Sequence, residues 1–445
     1  MNTNEPAPRS RLRRLTFLGQ VAFNITLLCA VFWLGFGGGQ RGLLFVPMVL
    51  ILFLPYSYAR LRLQRVVEQH AGKSAAWLLA VLGVGFDAVI VVQLLNARGP
   101  TIGSKLFVTS GLPWAGPVWY SAHLLLFLGY SAAAVVRGVT SPLRRRFAER
   151  RPTVDSTGDL MLARRELLQR GGLVAATLPF GISLSSVSLS YDFRVERHEV
   201  VLPHWPRELD GLTIAHLSDI HVGGSMNRER LRRVAELTNA ARPDLVIHTG
   251  DFLTHRLGDF DAPLYEALSR MHAPYGQWAC LGNHDFDDVN RLVRRLGDCS
   301  VRTLRDQNVA VVVQGQQLEM SGVDFQFRFP GRAASYDRIL SSFGERRAVP
   351  RILLNHDPTT FHGLPENCAD VVLSGHLHGG QVGVQLSSTS AITVVGLAGL
   401  PDQGIFSRGD MRMYVTRGVG FYGYPMRIGI PPEIALLVLR SQAAV

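Results

Sequence analysis

The chain divides by the length of its apolar runs. Before residue 140 four runs, 17–39, 43–59, 75–95 and 118–136, are long enough to cross a bilayer as helices, which takes ~20 residues at about 1.5 Å each. The second is short and carries Pro47 and Pro55, and a fifth run, 171–190, is weaker and holds Pro179. After residue 200 the apolar runs shrink to strand length and end in polar clusters, with amphipathic helical segments between them. The spacing predicts strands over 212–220, 244–248 and 277–281 and helices over 227–241 and 263–271. A hairpin over 309–313 and 317–323 turns around Gly315, and further strands fall at 351–354, 370–373, 392–395, 413–415 and 433–439. Many strands with few helices in the second part predict two packed β-sheets flanked by helices, a four-layer α/β sandwich.

Charge refines this picture. The chain has 46 Lys plus Arg against 35 Asp plus Glu, a balance that by itself suggests a polyanion as partner. Divided at residue 200, however, 22 basic and 10 acidic residues precede the boundary, while 24 basic and 25 acidic follow it. The globular part is therefore almost neutral and lacks the electrostatic footprint of a nucleic-acid binder. The mean hydropathy, +0.14, is high for a soluble enzyme. A four-span α-helical membrane domain over 1–136, an Arg-rich cytoplasmic linker over 137–170, a fifth transmembrane or signal-anchor segment over 171–190 and a globular domain over 200–445 account for both numbers.

Basic loops set the orientation. Arg9, Arg11, Arg13 and Arg14 precede the first run, Arg60, Arg62, Arg65 and Lys73 follow the second, and nine Arg lie between Arg137 and Arg170. The other two loops hold only Arg41 or Arg98 and Lys105. This alternation puts the N-terminus in the cytoplasm, and five crossings put the globular domain outside it, in a bacterial-type inner membrane. Arg164-Arg165-Glu166-Leu167-Leu168 also resembles a twin-arginine export motif, with Leu167 where Phe is usual, which implies the twin-arginine machinery as a partner. Asp87 within the third run is the one feature that favours a membrane sensor or transporter with a regulatory globular domain.

Candidate chemistry gathers where the predicted strands end, which is where α/β sheets place their sites. Asp219-Ile220-His221 follows the first strand, Gly250-Asp251 the second and Gly282-Asn283-His284-Asp285 the third; Asn355-His356 and Gly375-His376-Leu377-His378 close two later ones. Mixed oxygen and imidazole donors suit Mn, Zn or Fe better than Ca. The spacing His376-x-His378 on an extended segment would send both rings to one side, so that each could serve a different metal.

These five clusters, in this order, resemble the calcineurin-like metallophosphoesterases over residues 210–440. The later Tyr414-Val415-Thr416-Arg417-Gly418, Arg427 and Pro431-Pro432-Glu433 are similar to the membrane-attached subfamily that includes UDP-2,3-diacylglucosamine pyrophosphatases. The resemblance implies two divalent metal ions bridged by Asp251. Asp219, His221 and His378 would complete one site and Asn283, His356 and His376 the other. It also implies His284 as the group that meets the phosphoryl group and leaving oxygen, with Asp285 orienting its ring. Two cations lower the pKa of a shared water towards ~7, making hydroxide available near neutrality.

The expected activity is hydrolysis of a phosphodiester or pyrophosphate, on a phosphorylated small molecule or a lipid-linked substrate drawn from the surrounding membrane lipids. UDP-2,3-diacylglucosamine is a cytoplasmic substrate, which conflicts with the outward orientation. Arg417 and Arg427, with Tyr422 and Tyr424 in the same Gly-rich stretch, are candidate substrate-binding residues, as are Arg328 and Arg332. His216 and His248 lie within strands and read as core residues, and Cys299 and Cys368 are free to pair.

Overall fold

The computed structural model describes residues 40–96, 112–148, 177–222, 226–254, 261–327, 331–343, 349–421 and 426–442. The chain separates into two units, Met1–Ser185 and Ser186–Val445.

In the first unit α1 spans Gln40–Asn96 and is broken at Gly72, whose φ of 85° leaves the helical region. The 43–59 run does not end in a loop. It continues helically through the basic residues to Gly72, because Arg60 is buried, with its guanidinium donating to the Ala80 carbonyl (3.0 Å) and approaching the Tyr56 hydroxyl. A second helix, α2, covers Leu112–Ala148. Among the described residues, one stretch, Val118–Ser141, is long and apolar enough to cross a membrane. The run 17–39, Arg164 and Arg165 lie outside the described residues, as does most of the 137–170 linker. The helix α3, Thr177–Leu189, falls in the fifth apolar run.

The second unit begins with β1 (Arg194–Leu202), which lies parallel to the last strand, β14 (Glu433–Ser441). β14 runs antiparallel to β2 (Leu212–Leu217), and β3 (Leu245–His248), β4 (Gln277–Ala279) and β5 (Val301–Thr303) follow in parallel to complete a six-stranded sheet. The second sheet has the order β12 (Gly404–Arg408), β13 (Met411–Val415), β9 (Val371–Ser374), β8 (Arg351–Leu354), β7 (Gln316–Gly322), β6 (Gln307–Val313). Its β6–β7 edge is the antiparallel hairpin expected around Gly315.

Alternation along the strands decides what each face packs against. In the first sheet Ile214, Leu245, Ile247 and Trp278 meet Leu318, Met320, Ile352, Leu354, Val371 and Leu373 of the second. Their neighbours Ala215, Leu217, Val246 and Ala279 face the helices α4 (Arg228–Ala240), α5 (Ala262–Leu268) and α6 (Val289–Asp298). On the far side Leu353, Val372, Met413 and Val415 pack against α7 (Arg332–Ser342) and the 3-10 turn Pro358–Gly363. The result is the expected helix–sheet–sheet–helix sandwich. α4 shows how locally this is specified. Asn227 caps it by accepting from the Arg230 amide, and Leu231, Val234, Ala235 and Thr238 supply the buried stripe.

The predicted strand over 392–395 is half right. β11 (Ser390–Thr393) pairs with β10 (Gly383–Ser387) in a separate two-stranded ribbon, and Val394–Leu397 turn into a short helix, α8, capped by the Thr393 hydroxyl. Cys299 and Cys368 are both buried, in clusters on opposite outer faces of the sandwich, and form no disulfide with each other.

Candidate metal centre

All five sequence clusters fall at the C-terminal ends of strands, three from the first sheet (β2, β3, β4) and two from the second (β8, β9). Short backbone bonds hold these ends in register. The Asp219 amide donates to the Gly250 carbonyl, His221 to Asp251, and Gly375 to His356, each at 3.0 Å. His356 joins the two sheets, its Nδ1 lying 2.5 Å from the Thr249 carbonyl; that bond fixes one proton on Nδ1 and turns Nε2 towards the other donors.

Two groups of donors result. Asp219, His221 and His378 bring one ligand atom each to a common point, and Asp251, His356 and His376 do the same beside them. Asp251 Oδ2 lies 3.4 Å from His221 Nε2 and 3.3 Å from His356 Nε2, so this one oxygen touches both groups. Within the groups His378 Nε2 is 3.4 Å from Asp219 Oδ1 and 3.3 Å from His221 Nε2, and His376 Nδ1 is 3.2 Å from His356 Nε2. Asn283 adds a buried side-chain oxygen with no hydrogen-bond donor on it. A buried carbonyl oxygen left bare is costly unless a cation takes its lone pairs.

The backbone is strained where the donors sit. Asp219, His221, Asp251, His376 and His378 all have positive φ, between 47° and 72°. Five non-glycine residues in this region mark a site whose surroundings override local preference. The extended segment expected for His376-x-His378 is therefore absent. Both residues are left-handed and lead into the 3-10 turn His378–Gly380, and the two rings enter different groups by this turn rather than by strand alternation. Gly375 permits the close approach, since a Cβ there would lie 2.1 Å from Ser218 Oγ and 2.3 Å from Asp219 Oδ2.

Burial and neighbouring charge prepare the donors. Burial pushes His221 and His378 down to about 3, so both imidazoles are neutral near pH 7. His356 goes the other way: burial opposes its charge, but the adjacent Asp251 carboxylate raises it to about 10. Asp251 itself is held well below the usual carboxylate range, against the effect of burial, by the His356 and His221 rings.

Three of the expected site residues hold the backbone of the site in place. Asp285, expected to orient the His284 ring, is the first. Its carboxylate accepts the amides of Gly282 and Asp251 on one oxygen and those of Phe252 and Leu253 on the other, at 2.8–3.4 Å, and so braces the turns that present Asp251 and Asn283. Arg417 is fully buried and paired with Glu196 (2.7 Å) and Glu433 (3.3 Å), which leaves it no face for a substrate. Arg427 is also fully buried, its guanidinium donating to the carbonyls of His378, Arg417, Gly418 and Gly420. Both arginines support the loop behind Asp219. His216 and His248 are core residues, bonded to Thr249 and Gln277. Tyr422, Tyr424 and Arg328 lie outside the described residues, as does the side chain of Arg332. The sequence reading also passed over Phe325, whose ring lies 5.6 Å from that of His376 and which forms an aromatic wall with Phe327 and Phe286.

Residues 212–380, which contain every one of these donors, match the calcineurin-like phosphoesterase family. A zebrafish transmembrane protein with a metallophosphoesterase domain is 30% identical over 257 residues, 55% of this chain and 56% of that protein. The chain thus spans little more than half of that relative. The Bacillus subtilis metallophosphoesterase YkuE is 27% identical, over 63% of this chain and 98% of its own length. The Chlamydia trachomatis UDP-2,3-diacylglucosamine pyrophosphatase LpxG is 28% identical, over 55% of this chain and 88% of its own. The strand-end donors, the double sheet that brings them together and the family match agree: the chain carries a calcineurin-like metallophosphoesterase domain.

Proposed function

We propose that the chain is a membrane-anchored phosphoesterase that uses two divalent cations to hydrolyse phosphodiester or pyrophosphate bonds. The observation that carries this reading is the single carboxylate oxygen of Asp251, in reach of His221 on one side and His356 on the other. Asp219, His221, His378 and the shared Asp251 would hold one cation; Asn283, His356, His376 and Asp251 would hold the second. The donor set fits Mn, Zn or Fe, and the bare oxygen of Asn283 is what a ligand position requires. Bound there, the cations supply a water of lowered pKa and positive charge for the phosphoryl oxygens.

The chain's own residues do the rest. His221 and His378 offer lone pairs without first losing a proton, whereas His356 must release its proton to bind. His284 is half-buried, its amide bonded to Asp251 Oδ1 (2.9 Å) and its ring 5.1 Å from that of His221. That position suits a group that holds a proton at the leaving oxygen. The Phe325–Phe327 wall offers an apolar surface beside His376 to the remainder of the substrate, and Phe327 is itself exposed.

Membrane attachment is supported by Val118–Ser141 and by the apolar side chains that face outward in the first unit, among them Trp77, Leu128, Val135 and Val139. The pyrophosphatase relative makes a lipid-linked nucleotide or sugar phosphate the substrate class to try first. Protease access to a C-terminal epitope in intact spheroplasts decides the orientation: digestion supports five crossings and an outer substrate, and protection favours a cytoplasmic one. Catalysis is tested with Asp251→Asn, which should lose metal and phosphodiesterase activity together. A folded, metal-free variant that remains active overturns the proposal.

A further inference from the structure

The ribbon that follows the metal centre is unusually apolar for an exposed element. Between residues 383 and 400 there is not one charged side chain. Val384 (62%), Leu386 (62%), Ile392 (52%), Val394 (70%) and Leu397 (79%) are nevertheless open to solvent. Single exposed apolar residues are ordinary, but a cluster of this kind marks an interaction surface. Register brings two of these side chains together on one face. Val384 stands directly across from Ile392, and Leu386, at the irregularity between Gln385 and Ser387, is as exposed as Val384.

The opposite face ties the ribbon to the body. Thr393 is buried and bonded to Asp402, Gln403 donates to Gln385, and the Arg417 guanidinium donates to the Ser388 carbonyl at 3.2 Å. The ribbon also abuts the candidate site, because a Cβ on Gly380, two residues after His378, would lie 2.9 Å from Thr393 and 3.4 Å from Val395.

We infer that this ribbon is a membrane-contacting platform that rests the catalytic unit on a lipid surface beside its metal centre. Two features select lipid over a protein partner. The patch has no charge with which to choose a protein, and its turn, Ser387-Ser388-Thr389-Ser390, offers hydroxyls suited to headgroups rather than a further apolar anchor. Continuity points the same way. Leu189, the last residue of the apolar helix α3, lines one depression together with Leu386, Ser387 and Ser388 of the ribbon. Arg194 and Arg197 border the same depression, half exposed and paired with Asp192 and Glu199, so the rim is polar without a strong net charge. Apolar residues inside a polar rim are the pattern of an interaction surface.

The inference rests on the membrane attachment proposed above but not on the catalytic reading. It is tested on the full chain reconstituted in phosphatidylcholine vesicles, with a spin label at Leu386→Cys or Leu397→Cys and a control label at Val312→Cys, on the exposed β6 strand. The three described native cysteines are buried, and mock-labelled wild type gives the background. Labels at 386 and 397 should be several-fold more accessible to oxygen, relative to a water-soluble nickel chelate, than the label at 312. Ratios equal to the control place the ribbon in water and overturn the inference. Shielding from both relaxers overturns it in favour of a protein partner, including a second copy. A chain that fails to float with the vesicles refutes attachment itself and the platform with it.

Discussion

Asp219 is wedged between two glycines, and that packing gives a sharp prediction for Gly375→Ala. The added methyl would sit 2.1 Å from Ser218 Oγ and 2.3 Å from Asp219 Oδ2. Ordinary contacts need roughly 3.5 Å, so one or both oxygens must retreat by about 1 Å. Asp219 has no room behind it, because a Cβ on Gly418 would already be 2.9 Å from its own Cβ, and its carboxylate is held by the His376 amide at 3.0 and 3.1 Å. Overpacking of this kind costs ~1–3 kcal/mol, which lowers Tm by several degrees while the domain remains folded.

The effect on metal is larger, since coordination tolerates only about 0.2 Å. The cation at Asp219, His221 and His378 should be lost first, so metal content falls from two per chain towards one. A misplacement near 1 Å costs ~100-fold in turnover. Metal analysis, a melting curve and turnover of a soluble chromogenic phosphodiester provide the three readouts. Gly297→Ala in α6 is the control. Nothing lies within 4 Å of its Cβ, and helix propensity should stabilise it by up to ~1 kcal/mol. A folded Gly375→Ala protein with two metals and normal turnover would refute the reasoning.

Other outcomes follow from the same geometry. His284→Ala should keep its metal, because none of the donor groups includes it, yet lose about 100- to 10,000-fold in turnover as a proton donor is removed; metal loss in this variant would make it a ligand instead. Arg427→Met leaves the carbonyls of Arg417 and Gly420 without a donor, at ~1–3 kcal/mol each. Its melting point should drop, whereas a raised KM at unchanged stability would restore Arg427 to substrate binding. Burial holds His216 at about 3 and His248 at about 4, below the ordinary 6.5. The unfolded chain therefore binds more protons between those values and 6.5, and stability falls as pH drops through that window. At pH 5 each contributes about 2 kcal/mol of loss. Denaturation midpoints at pH 7 and pH 5 should converge in His248→Gln relative to wild type, and an unchanged difference would show that His248 is protonated in the fold.

The donors were legible in the sequence because each must follow an apolar strand and be flanked by residues small enough for close approach, and both features are local. What was not legible is non-local. Arg417 and Arg427 read as substrate-binding cations because nothing nearby in sequence announces Glu196, Glu433 or the carbonyls that enclose them. β1 was not among the predicted strands for a similar reason: Arg194, Glu196, Arg197 and Glu199 interrupt any apolar alternation, and only its parallel pairing with β14 makes it a strand. Asp285 sits next to His284, which invited a catalytic role, but four amides from two turns converge on it only in three dimensions. The left-handed donors are invisible to pattern reading, since local preference argues against them.

The central claim is that Asp251 joins two cations. Electron paramagnetic resonance of the Mn(II)-loaded protein tests it most directly. The account predicts an exchange-coupled dimanganese signal that saturates at two ions per chain and vanishes in Asp251→Asn. An uncoupled mononuclear signal saturating at one ion per chain, or one that survives Asp251→Asn unchanged, would contradict it.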